Sequence, residues 1–179
     1  DAMPIGIIST HYADGWQYRF EVPQRVYEKK LVTGLVEVLL TEMANRTPGS
    51  HKAELQAWVV YGLTEQLLFK VGPTLIARRK MDIGMKSQKT GLSIGRFTGP
   101  SVWQNGTNDP MRYTREILRT NEPLTFRELT SVPPGAFSSP RGLVYAASAH
   151  VLIKELLRLD PQRKHFNNFL GNLTRTWNW

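Results

Sequence analysis

The chain has 179 residues, 41% of them hydrophobic and 21% charged, with a formal net charge of +8 and no cysteine. That length can bury one sizeable core, so a single domain over 1–179 is expected. The missing cysteine excludes disulfides, thiolate catalysis and cysteine-bound zinc, and no apolar run approaches the roughly 20 residues of a membrane-spanning helix.

The opening "PIGIISTHYADGWQYRFEVPQ" predicts a β hairpin. Ile5, Ile7 and Ile8 are β-branched, and Ala13, Asp14 and Gly15 form a turn signal. Trp16, Tyr18, Phe20 and Val22 then alternate with polar residues, as in a strand with one buried face. "RVYEKKLVTGLVEVLLTEMANR" predicts a helix. Val26, Tyr27, Leu31, Leu35, Val38, Leu39 and Met43 recur at helical spacing, and Val32, Val36 and Leu40 widen that stripe, so the helix is expected to be central. A second helix is expected from His51 to Lys70, in which Leu55, Trp58, Val59, Leu63, Gln66, Leu67 and Phe69 are mostly apolar.

Residues 73–108 lose clear periodicity, and a long, irregular, basic excursion is expected there. Between Lys70 and Arg96 stand Lys70, Arg78, Arg79, Lys80, Lys86, Lys89 and Arg96 against the single acid Asp82. Such a stretch can bind anions or nucleic acid, and Arg78, Arg79, Lys80, Lys86 and Lys89 are the candidate residues. Nucleic acid is disfavoured, because the interleaved aromatics of single-strand binders are missing.

Asp109 and Pro110 predict a helix start running to Leu118. In "LTFREL", Thr125 and Glu128 predict a capping box, with Leu124 stapled to Leu129. "RGLVYAASAHVLIKELLRL" predicts a long helix with Leu143, Ala147, His150, Val151, Ile153, Leu156 and Leu157 inward or nearly so. Asp160 and Pro161 predict a last short helix. A hairpin followed by packed helices is a helix-dominated α+β class. A first residue other than Met and the ending "RTWNW" lead to the expectation of a piece cut from a longer chain.

"AWVVYGLTEQL" resembles the second helix of gluzincin-type (peptidase MA-like) metallopeptidases, with Trp58, Gly62, Leu63 and Glu65 in register. "LVTGLVEVLLTEMANR" resembles the preceding helix of that family, which carries His-Glu-x-x-His. "YAASAHVLIKELLRL" resembles the helix packed behind the site. The chain is similar in this to uncharacterised peptidase-like envelope proteins of planctomycetes and verrucomicrobia.

The resemblance implies a zincin-like fold in which Gly62 brings the second helix close to the first. It places the two zinc histidines at Gly34 and Val38, the glutamate base at Leu35 and the third ligand at Tyr61. Gly34, Leu35 and Val38 offer no donor atom, and Tyr61 is a poor zinc ligand. Twenty-two residues separate Val38 from Tyr61, near the family spacing.

The resemblance therefore implies a pseudoenzyme with no metal and no cofactor. Its role would be structural or protein- or peptide-binding, in the bacterial periplasm or outside the cell. The former cleft would be edged by Tyr61, Glu65, Glu37, Tyr145 and Ser148, with a Tyr61–Glu65 contact replacing the metal as the tie between helices.

Alternatives stay open. One is anion or nucleic-acid binding through residues 70–96. Another is a hydrolase with a rearranged site built from Glu37, Glu65 and His51. No two of His11, His51, His150 and His165 are spaced for joint ligation on one helix. His150 reads as a hydrogen-bonded core histidine. Asn45, Asn105 and Asn172 head Asn-x-Thr sequons, which matter only in a eukaryotic secretory pathway.

Overall fold

A computed structural model describes residues 5–24, 26–47, 49–71, 111–131, 137 and 141–175. The chain order is β1 (Gly6–Tyr12), β2 (Gly15–Glu21), α1 (Glu28–Asn45), α2 (Ala57–Val71), α3 (Arg112–Thr120), α4 (Phe126–Thr130), α5 (Arg141–Leu159) and α6 (Lys164–Asn172). The fold is thus helix-dominated α+β with an N-terminal antiparallel hairpin.

The two strands pair in a register that sets Ile7 opposite Phe20, Ser9 opposite Tyr18 and His11 opposite Trp16. Gly15 begins β2 at φ 129°, a backbone conformation that side-chain-bearing residues rarely adopt. Phe20 then lies on α1 at Gly34, where an added Cβ would fall 2.8 Å from the phenyl ring.

The apolar side of α1 is not the one that the most regular spacing suggests. Leu35, Leu39 and Met43 are exposed, as is Tyr27, while Val32, Val36, Leu40 and Ala44 enter the core. Both sets obey helical periodicity, so spacing alone does not say which one the rest of the chain covers.

Helix α2 begins at Ala57, not near His51. Asn45 Oδ1 accepts from the Ala53 N–H at 2.8 Å, which holds that stretch in a non-helical path, and the Gln56 carbonyl takes the first bonds of the helix. Asn45 also donates to the Tyr18 hydroxyl, so this sequon asparagine links hairpin, helix end and loop.

The core joins Val32, Val36 and Leu40 of α1, Trp58, Val59 and Leu68 of α2, Leu129 of α4, Tyr145, Ala149 and Ile153 of α5 and Leu170 of α6. Its tightest interface is α2 against α5. At Gly62 an added Cβ would lie 2.5 Å from Ile153 Cγ1 and 2.6 Å from the Ala149 carbonyl oxygen. The glycine therefore serves the approach of α5, which corrects the expectation that it serves α1.

The expected capping box is present: the Thr125 hydroxyl accepts from Glu128 N–H, and the Glu128 carboxylate accepts from Thr125 N–H. Helix α6 starts later than expected, at Lys164. Asp160 still serves it, because its two carboxylate oxygens accept from the N–H groups of Lys164 and Phe166. On α5, Leu143 and Leu156 face outward, contrary to the sequence expectation. No helix of the described residues is long and apolar enough to cross a membrane.

Candidate functional site

A cleft of about 530 Å³ lies where the hairpin, α1, α2 and the start of α5 meet. Ile5 and Ile7 supply one apolar wall, and Phe137 and Leu143 another. Lys30, Thr33, Gly34 and Glu37 come from successive turns of α1, and Tyr61 enters from α2. Spacings of three and four along α1 place these four residues on one strip of the helix.

Tyr61 stacks on Phe137 with ring centroids 4.4 Å apart and planes at 11°, and both meet Tyr145 edge-on. Burial raises the Tyr61 hydroxyl above its ordinary pKa, and the nearby Glu37 carboxylate adds to that rise. Burial likewise raises the Glu37 carboxyl, with Lys52 opposing it.

The expected site residues divide. Gly34, Glu37 and Tyr61 come together in the cleft. Leu35 projects outward at 40% exposure, and Val38 is not among the lining residues. At Gly34 an imidazole would have to displace the Phe20 ring.

Glu65 is buried on α2 and forms an ion pair with Lys29 of α1, without hydrogen-bond geometry at its Oε1. The polar tie between the two helices is therefore Lys29–Glu65 and not Tyr61–Glu65. The carboxylate that Tyr61 feels is Glu37.

Tyr145 and Ser148 are structural. The Tyr145 hydroxyl donates to the Leu129 carbonyl at 2.8 Å, and Ser148 Oγ accepts from the Leu124 N–H at 3.0 Å. Leaving its partner unmet would be costly at such depth, which is why both groups are bonded. Arg78, Arg79, Lys80, Lys86 and Lys89 lie outside the described residues.

A rearranged metal site from Glu37, Glu65 and His51 does not form. His51 lines a separate groove at the turn end of the hairpin, and Glu65 is held by Lys29. Among the described residues no three His, Asp or Glu side chains gather for a metal ion.

His150 is fully buried on α5. Its Nδ1 is 2.7 Å from Thr114 Oγ1 of α3 and its Nε2 is 2.8 Å from Gln66 Oε1 of α2. With a carbonyl oxygen facing Nε2, that nitrogen carries the proton and Nδ1 accepts from the threonine hydroxyl. Burial, helped by Lys154, holds its pKa down at about 4.

Sequence reasoning missed Lys30, Thr33, Phe137 and Leu143 as cleft residues. Phe137 sits in "SVPPGAFSSP", where nothing periodic marks it. Leu143 obeys the α5 apolar pattern and was assigned inward on that ground. No known protein family, curated protein or solved structure matches the chain.

Proposed function

We propose that this chain is a non-catalytic, metal-free binding domain on a zincin-like, peptidase-like scaffold, and that its cleft holds an extended segment of a protein or peptide. The position of the cleft carries the reading. Its apolar wall at Ile5 and Ile7 belongs to β1 and its run-in, and among the described residues β1 pairs on one side only. An extended peptide bonds to a free strand edge through its main chain and sets alternate side chains into adjoining pockets. Ile7, Leu143, Phe137 and Tyr61 offer such apolar ground, and Lys30, Thr33 and Glu37 offer polar anchors. The non-catalytic part draws support from the side chains at Gly34, Leu35 and Val38, which have no metal-donor or general-base atom.

Selection of a displayed random peptide library on the wild-type domain tests the reading, with Leu143→Glu as the counter-target. Leu143 is 47% exposed, so the substitution spares the core. Peptides that lose roughly tenfold or more in affinity on Leu143→Glu support the proposal. A selection that yields no peptide, or only peptides indifferent to Leu143→Glu and Tyr61→Ala, overturns it. On this reading added zinc leaves the melting temperature unchanged. A stabilising shift with stoichiometric zinc would restore the hydrolase alternative.

A further inference from the structure

Glu37 is the acid of the cleft that has no resident partner; among the described residues Asp14, Glu54 and Glu122 also stand outside ion pairs, but none of them lines the cleft. Glu21, Glu42, Glu65, Glu116 and Glu155 each pair with a lysine or arginine. The Glu37 carboxylate has neither ion pair nor hydrogen bond among the described residues. It lies at a seam, because Glu37, Thr33, Tyr61 and Phe137 line both the cleft and a neighbouring cavity of about 540 Å³.

Glu37 is exposed, so solvent and a solute alike can reach its carboxylate, and a cation that binds there displaces no existing ion pair. Beside it stand the stacked rings of Tyr61 and Phe137. An aromatic face next to a carboxylate attracts an organic cation by both ring quadrupole and charge.

The resident cations leave the position open. Lys29 is committed to Glu65. Lys30 lines the cleft and Lys52 lines the second cavity, and neither bonds to Glu37. Lys52 is close enough to act on the Glu37 charge through space, so it competes weakly with any cation that arrives.

From this juxtaposition we propose that the Glu37 seam is a subsite for a compact organic cation, the ammonium or guanidinium of a lysine or arginine side chain. The proposal rests on the reading of the cleft as a peptide site, and it names what that peptide must carry. Arginine is the better fit, because a planar guanidinium can lie on the Tyr61–Phe137 wall and still donate to a carboxylate.

The test is an NMR titration of the domain with N-acetyl-arginine N-methylamide and with the uncharged N-acetyl-norleucine N-methylamide. The arginine amide is expected to shift resonances of Thr33, Glu37 and Tyr61 and to bind at least about fivefold more tightly than the norleucine amide. Glu37→Gln should remove that preference, while Lys52→Ala should enlarge it by deleting the competing ammonium. Melting curves of both variants show that they are folded. Equal binding of the two amides overturns the proposal. So does an arginine preference that survives Glu37→Gln, or one that Lys52→Ala leaves unchanged.

The two proposals fail separately. Selected peptides that need Leu143 but carry no basic residue keep the peptide reading and sink the cation subsite. An arginine amide seated at Glu37, with no cleft-dependent peptide found, does the reverse.

Discussion

Gly62→Ala should destabilise the protein, although glycine is the poorer helix residue. In an unconstrained helix the replacement would stabilise by about 1 kcal/mol. Here the new Cβ would fall 2.5 Å from Ile153 Cγ1 and 2.6 Å from the Ala149 carbonyl oxygen. Ile153 is fully buried, and the carbonyl moves only if α5 moves. Overpacking of this kind costs about 1–3 kcal/mol, and a backbone contact belongs at the upper end. The net loss is then about 1–2 kcal/mol, or a fall in melting temperature of roughly 2–8 °C for a chain of this length. Urea unfolding should show a lower midpoint with an unchanged slope. A variant as stable as wild type, or more so, would mean that α2 and α5 have slack at this crossing and that the glycine meets some other need.

The buried His150 predicts an acid-sensitive stability. Its folded pKa of about 4 lies below the ordinary 6.5, so between those values the unfolded chain binds more protons. Stability should be fully present above about pH 6.5 and fall as pH drops, by roughly 3 kcal/mol at pH 4 from this group. His150→Gln should flatten that slope in urea titrations from pH 7 to 4, and an identical slope in the variant would refute the assignment. Lys29→Met should cost about 1–3 kcal/mol by leaving Glu65 buried without its cation, discounted because the lysine is 41% exposed. Adding Glu65→Gln to Lys29→Met should recover part of that loss, and strictly additive losses in a double-mutant cycle would show that the pair is not coupled.

The elements with chemical punctuation were legible in the sequence. The hairpin was marked by Ala13, Asp14 and Gly15, and the α4 start by the Thr125–Glu128 box; both depend on interactions within a few residues. The long helices were legible as helices for the same reason, since 3.6-residue spacing is local. Their orientation was not. Leu35, Leu39 and Met43 keep as good a period as Val32, Val36 and Leu40, and only the placement of hairpin and neighbouring helices decides which set is buried. The start of α2 was hidden because Asn45, in the helix before, holds Ala53 out of helical conformation.

The cleft was legible in part, and the division follows the same rule. Gly34, Glu37 and Tyr61 were singled out by aligning two helices, and they do meet, because α1 and α2 pack side by side. The inferred Tyr61–Glu65 tie failed because residues four apart on one helix share a face but need not share a partner. Tyr61 turned to Phe137 and the Glu37 side of α1, while Glu65 went to Lys29. That partition has a functional consequence. Without Lys29, Glu65 would be buried without a cation, at a cost of several kcal/mol. By answering the buried acid first, the fold leaves the accessible one unanswered. The unpaired carboxylate thus faces the cavity beside an aromatic wall, where an incoming cation can reach it.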